Sequence, residues 1–310
     1  MRYPDRDWNA REMHNDATSQ RPARLTVGIV GPGRVGSVLG MALSRAGHHV
    51  VASTALSQAS RDRVEQRLPT ARIAEPTEVL EQADLVLLCV PDDTLGPLVQ
   101  GLVNTGAPVA GTLLAHTSGS HGITVLEPAT AAGALPLALH PVQTFTGRME
   151  DLQRLSSCTF GVTAPESLRP IAEALVVEMG AEPVWIEEQA RGLYHAALAS
   201  GANHLVTLVA DSAELLRTAG VDEPGRMLGP LLGAALDNAL RLGIDGLSGP
   251  VVRGDADTVA RHLTELRQNS PDAVASYVAL ARRTADRALA AGHLKPTDAE
   301  QLLDVLRDPT

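Results

Sequence analysis

A short apolar run, Leu25–Val30, is followed at once by Gly31-Pro32-Gly33-Arg34-Val35-Gly36, and then Val35, Val38, Leu39, Ala42 and Leu43 recur at helical spacing. A strand that turns into a helix over so few residues leaves few folds open. The first glycine of such a turn permits the sharp reversal, the second lets a pyrophosphate approach the backbone amides, and the third lets the helix lie close on the strand. Gly47 ends the helix and His48–Ala52 supplies a second strand, which closes a βαβ unit. The context predicts that Gly31, Pro32, Gly33, Arg34, Val35 and Gly36 hold the phosphates of a dinucleotide at a helix N-terminus.

The second strand also bears on which dinucleotide is taken. An NAD-preferring site places an acidic side chain about 20 residues after the motif to hold the ribose 2′-hydroxyl. Here the strand ends in Ser53 and Thr54, and Ser57, Arg61 and Arg63 follow. Hydroxyls and cations suit a 2′-phosphate, so NADP(H) is the predicted cofactor, with Ser53 and Thr54 as its contacts.

The alternation continues along the chain. Leu85–Val90, Thr112–His116, Ala134–His140, Cys158–Val162 and Pro183–Ile186 read as strands, with helical periodicity between several of them. At least six strands fit one doubly wound parallel α/β sheet, the Rossmann arrangement, over residues 23–187. Residues 1–22 carry both charge signs without periodicity and read as a flexible arm. From residue 188 to 310 no strand pattern remains, and alanine- and leucine-rich segments predict an all-helical second domain for substrate binding or dimerisation. Its first helix, about Gln189–Thr218, is studded with small residues that suit a domain spine or a dimer seam, so a homodimer through this domain is expected.

Charge and composition narrow the partners. A formal charge of −10 with no basic run argues against nucleic acid. The two cysteines show no paired spacing, the N-terminal stretch lacks an apolar signal core, and no apolar run approaches the roughly 20 residues that span a bilayer. A cytoplasmic protein without a membrane partner, acting on a small molecule, is expected.

Ligands of such sheets bind outside the carboxyl ends of the strands, which selects the segments to inspect. Val90, Pro91 and Asp92 follow one strand and His116, Thr117 and Ser118 another, positions that flank ribose and nicotinamide. Asp92 and Ser118 serve equally well as helix caps. His140 ends a later strand within reach of a substrate. His116, His121 and His140 lack a carboxylate cluster, and no metal is predicted. On the long helix, His195 is a suitable general acid for a carbonyl or imine that receives hydride, and Asn203 could orient the polar group. Eight residues on a helix rotate about 80°, so these two do not form a dyad. In Ser248–Asp255, SGPVVRGD, Ser248 and Arg253 are candidate substrate contacts, Arg253 for a carboxylate, and Asp255 a candidate helix cap.

Together GPGRVG, VPDD, HTSGSHG, LALHPVQTF, YHAALASGANHLVTL and SGPVVRGD resemble a family of bacterial oxidoreductases that join a Rossmann-like domain to a helical domain of unknown function. That family is similar to ketopantoate reductase, pyrroline-5-carboxylate reductase and the 6-phosphogluconate-dehydrogenase-like group. The resemblance implies NADPH, a helical substrate domain and dimers. Many of those relatives use a lysine and an asparagine one turn apart on the first helix of the second domain. Here Ala199 stands one turn before Asn203, and Lys295 is the sole lysine of the chain. Two functions fit: a reductase of a small carbonyl or imine acid, such as a ketopantoate-like 2-keto acid, with His195 or His140 as proton donor, and an NADP-binding protein without turnover.

Overall fold

Leu85 and Leu87 point to one side of their strand and Val86 and Leu88 to the other, and all four are buried. A strand covered on both faces needs helices on both faces, and the computed structural model, which describes residues 24–307, supplies them. The strands are β1 (Thr26–Val30), β2 (His49–Ser53), β3 (Arg72–Ile73), β4 (Leu85–Leu88), β5 (Leu113–His116), β6 (Leu135–Pro141), β7 (Thr159–Thr163) and β8 (Glu182–Trp185). The helices of this region are α1 (Arg34–Ala46), α2 (Gln58–Arg67), α3 (Pro76–Glu81), α4 (Asp92–Asn104), α5 (Glu127–Ala131), α6 (Glu150–Arg154) and α7 (Arg169–Glu178). One core layer joins α1, α2, α6 and α7 to Val27, Ile29, Leu85, Leu87, Leu137 and Phe160. The opposite layer joins α3, α4 and α5 to Val30, Val86, Leu88 and Leu114. The predicted arm, residues 1–22, lies outside the described residues.

The eight strands run in the order β3-β2-β1-β4-β5-β6-β7-β8. The doubly wound sheet is parallel from β3 to β6, β7 is antiparallel to β6, and β8 is parallel to β7. Between β6 and β7 the chain forms only the five-residue α6 and a short 3-10 turn. At about 7.5 Å this helix is shorter than the seven-residue β6 of about 23 Å, so no helix runs the length of the sheet between these two strands as in a βαβ crossover. Across the reversal His140 stands opposite Gly161 and Ala138 opposite Thr163.

Contacts divide the chain into two compact units, Met1–Ala197 and Leu198–Thr310. The division falls within α8 (Arg191–Thr218), whose first turns belong to the sheet unit because Arg191 is buried there. After α9 (Pro224–Leu242), the second unit builds its core from α10 (Ala256–Asn269), α11 (Ala273–Ala290) and α12 (Pro296–Val305). Asp255 caps α10 by accepting the Thr258 amide at 3.0 Å. Among the described residues no helix is long and apolar enough to cross a membrane.

Candidate active site

Strands β1 and β4 are neighbours, yet the chain winds outward from them in opposite directions, so a crevice opens at their carboxyl ends. The glycine turn sits there. Gly31 has φ +91°, and a Cβ on it would lie 2.5 Å from the Cys89 carbonyl oxygen. A Cβ on Gly36 would lie 2.4 Å from the Gly31 carbonyl oxygen and 3.0 Å from Cys89 Cβ. Gly33 differs: its φ of −72° is ordinary, and a Cβ there would meet nothing within 4 Å. Protein packing demands the first and third glycines and not the second.

Gly33 is the N-cap of α1, no side chain caps the helix, and its first turn carries no acid. The unpaired amides are left to an anion. Pro32 is buried, Val35 is half-buried and Arg34 is exposed. Thr54 Oγ1 accepts the Gly31 amide at 3.0 Å, and the fully buried Ser53 hydroxyl donates to the Thr54 carbonyl at 3.2 Å. Thr54 thus holds the turn from inside, and the Ser53 hydroxyl is bonded only to the Thr54 backbone. Arg63 donates to the Pro32 carbonyl at 3.0 Å and Arg67 to Ser37 Oγ at 3.0 Å, which fastens α2 beside α1. Arg67 went unmarked in the sequence, where it reads as one more charge on a polar helix; Arg61 is exposed.

The rim after β4 and β5 is a hydrogen-bonded network. Val90 is half-buried and Pro91 caps α4. The Asp92 carboxylate accepts the Ser120 hydroxyl, which lies 3.3 Å from Ser118 Oγ, and Ser118 Oγ accepts the His121 amide. Burial favours the neutral acid at Asp92, but the Ser120 and Ser118 hydroxyls hold its carboxyl below the usual range. The Thr117 amide continues the ladder to the Leu88 carbonyl. His116 is fully buried; its Nδ1 accepts the Ser118 amide at 3.2 Å, so Nε2 carries the proton and donates to the Gly122 carbonyl at 2.8 Å. Burial pushes its pKa down to about 4. A Cβ on Gly122 would collide with Glu188, whose carboxylate accepts the Ile123 and Thr124 amides at 2.8 and 3.0 Å.

Beyond this rim the structure brings together two histidines that lie far apart in sequence. A Cβ on Gly119 would lie 2.6 Å from His195 Cδ2 and 2.9 Å from His140 Nε2. The two rings meet edge to face at 6.0 Å between centroids. His140 Nδ1 is 2.8 Å from the Tyr194 hydroxyl. Burial, then the nearby Arg191 charge, push the His140 pKa down to about 4, so its ring is neutral at pH 7. With the phenol donating to Nδ1, the His140 proton sits on Nε2, on the Gly119 side. Arg191, 1% exposed, donates through Nε to Thr163 Oγ1 and through Nη2 to the Ala138 and Gly161 carbonyls. Sequence reasoning singled out both histidines and passed over Arg191, because an arginine at the start of a helix reads as solvated.

The remaining candidates fall in the second unit. Asn203 is exposed on α8, and His195 belongs to the first unit. Ser248, also exposed, lines a cavity of about 370 Å³ with Asp211, Leu215, His262 and Tyr277. Arg253 is exposed on the same loop.

Residues 11–141 match the model of a Rossmann-like domain, and residues 158–284 match a domain of unknown function, DUF2520. No curated protein matches the sequence. Among solved structures, a candidate NADP oxidoreductase from Bacteroides fragilis aligns with TM-score 0.70 and 22% identity, over 85% of this chain and 98% of its own. Pyrroline carboxylate reductase from Plasmodium falciparum, solved with NADP bound, aligns with TM-score 0.56 and 12% identity over 90% and 98%. An imine reductase from Pseudomonas sp. aligns with TM-score 0.55 and 18% identity over 92% and 93%. At these identities the likeness is one of fold. The DUF2520 match takes in β7 and β8 of the sheet as well as helices of the second unit.

Proposed function

We propose that this two-domain chain is an NADPH-dependent reductase of a small acid bearing a C=O or C=N bond, of the class of a ketopantoate-like 2-keto acid or a cyclic imine acid. Gly33 carries the first half of the reading. The fold would accept a side chain there, so the glycine is explained by what lies outside the protein, and a pyrophosphate seated on the α1 amides is the group that needs that clearance. Arg34 and Arg61 are exposed cations free to meet a 2′-phosphate, Thr54 acts through the turn it holds, and Ser53 supports Thr54 from inside. When bound, the reduced nicotinamide supplies a hydride. The chain must then supply a proton, and His140 and His195 stand together around Gly119 to do so. Solved structures that share the fold include reductases of C=N bonds, and this supports an imine substrate beside a ketone.

A homodimer completes the reading. Apolar residues emerge on several sides of α9, with Leu231 65% and Leu240 79% exposed, and Val206 of α8 is 67% exposed. A helix apolar around most of its circumference calls for a covering partner, and a second copy of the same α8 and α9 surface provides one.

The test follows NADPH oxidation across 2-keto acids and cyclic imine acids for the parent, His140→Ala and His195→Ala. Turnover by the parent and at least a hundredfold lower turnover in one variant is expected. Tight NADPH binding without turnover on any member would instead favour the non-catalytic reading, which the lack of any lysine but Lys295 motivates. Fluorescence titration should show NADPH bound at least tenfold more tightly than NADH, about 1.4 kcal/mol.

A further inference from the structure

Arg191 holds a full charge in the interior, 1% exposed, and its hydrogen bonds go to the neutral acceptors Thr163 Oγ1, Ala138 O, Gly161 O and, at 3.5 Å, Ser118 O. Among the described residues no carboxylate lies within ion-pairing distance of it. Glu188, the acid nearest in sequence, is committed to the Ile123 and Thr124 amides. A buried cation whose hydrogen bonds all go to neutral groups is costly to keep, and here the Glu188 carboxylate offsets that cost only from a distance, without an ion-pair contact. Beside Glu188, the other acid that acts on Arg191 is the Tyr194 phenol, whose ring lies 5.7 Å from the Arg191 guanidinium carbon and which can become negative during turnover.

Resting on the reductase reading, we infer that Tyr194 is the proton reserve behind His140, and that Arg191 is the fixed counter-ion of the phenolate left after each transfer. The atoms balance. Hydride from the reduced dinucleotide adds two electrons and one hydrogen to the substrate carbon, and the His140 Nε2–H bond breaks to protonate the oxygen or nitrogen. Nδ1 takes the Tyr194 proton across their 2.8 Å hydrogen bond, so His140 stays neutral with its tautomer exchanged. The charge left on Tyr194 meets Arg191, until solvent returns the proton. His140 thereby donates without becoming an imidazolium, a form that burial and Arg191 both disfavour.

The contact is built closely. A Cβ on Gly161 would lie 2.3 Å from the Tyr194 hydroxyl oxygen, so this glycine clears the phenol's seat on β7. The charged and titratable groups facing the pair are Arg191 and His195 on α8, His116 on β5, Asp92 at the start of α4 and Cys158 ahead of β7. Arg191 is the nearest fixed cation among them. In the resting protein burial holds the Tyr194 phenol above its ordinary value while Arg191 pulls it down, as a reserve that is protonated between turnovers requires. Tyr194 and Arg191 are positioning and proton-supplying residues, and His140 alone of the three is placed to touch substrate.

The experiment replaces Tyr194 in the full-length chain with 3,5-difluorotyrosine and titrates it by ¹⁹F NMR without substrate. Arg191→Gln should raise the midpoint by at least one pH unit, a tenfold change in proton affinity, and Arg191→Lys should recover part of it. An unchanged midpoint in folded Arg191→Gln overturns the assignment. Should Arg191→Gln fail to fold, Arg191→Lys and kinetics of the unmutated Arg191 protein decide. With the most active panel substrate, the alkaline limb of kcat should move to lower pH on fluorination and vanish in Tyr194→Phe, with KM for NADPH unchanged. A limb that ignores fluorination overturns the relay, because a tyrosine that merely props the His140 ring would leave it in place. Failure of the reductase reading is separate: it shows as no turnover by the parent, whatever the ¹⁹F midpoint.

Discussion

Substituting alanine at Gly33 and at Gly36 separates what the fold needs from what the ligand needs. At Gly33 the added methyl meets nothing within 4 Å and the backbone is extended. Alanine is a poorer N-cap than glycine by up to about 1 kcal/mol, and the stiffer unfolded chain returns roughly 0.4–1 kcal/mol. The net change in stability should stay within about 1 kcal/mol, a shift in Tm of no more than roughly 4 °C for a domain of this size. The methyl would stand where a pyrophosphate must reach the α1 amides, so NADPH should bind at least tenfold more weakly, about 1.4 kcal/mol. At Gly36 the methyl would lie 2.4 Å from the Gly31 carbonyl oxygen and 3.0 Å from Cys89 Cβ, neither a flexible side-chain end. Overpacking of this kind costs about 1–3 kcal/mol or more, and Tm should fall accordingly. Thermal melts without ligand and fluorescence titration with NADPH measure both quantities. Parental NADPH affinity in Gly33→Ala would refute the argument that the second glycine answers to a ligand.

Two further outcomes follow from burial. His116 titrates near 4 when folded against 6.5 unfolded, so below pH 6.5 the unfolded chain binds a proton that the folded one refuses, and stability falls from pH 6.5 to about 4. The loss is at most about 3 kcal/mol for this residue; His140 adds in the same direction, and urea midpoints at pH 7.5 and 4.5 should show a smaller drop in His116→Gln, equal drops refuting the assignment. Leu231→Glu with Leu240→Glu places charges on two opposite exposed sides of α9 and should convert a dimer to a monomer in sedimentation equilibrium, whereas a monomeric parent would end the dimer reading.

Local information explains which parts of the fold were legible in the sequence. β1, the glycine turn and α1 are specified by neighbours within about 20 residues, through an apolar run, a positive φ at Gly31 and apolar spacing along the helix. The direction of β7 was not legible, because pairing with β6 depends on how the linker turns in space; the two-residue β3 is too short to show a period. The HTSGSHG motif was visible without its meaning. Its two glycines clear space for side chains from residues 188 and 195, and nothing nearby in sequence announces such visitors. His140 and His195 were legible singly, as a strand end and a helix residue, and their meeting at Gly119 is a product of the fold.

Arg191 was the least legible residue of the site and bears most on its chemistry. Resemblance implies a lysine on this helix in related enzymes, a group that offers a positive charge and a removable proton together. This chain lacks it, and a single side chain cannot replace it: arginine keeps its proton under ordinary conditions, and a histidine buried beside a cation stays neutral. The two roles are therefore divided. Arg191 supplies the charge, fixed by three hydrogen bonds to β6 and β7, and the Tyr194–His140 pair supplies the proton across 2.8 Å. Restoring a lysine at Ala199 would not rebuild the relatives' site, because its charge would add to that of Arg191 without relieving the burial that keeps His140 neutral.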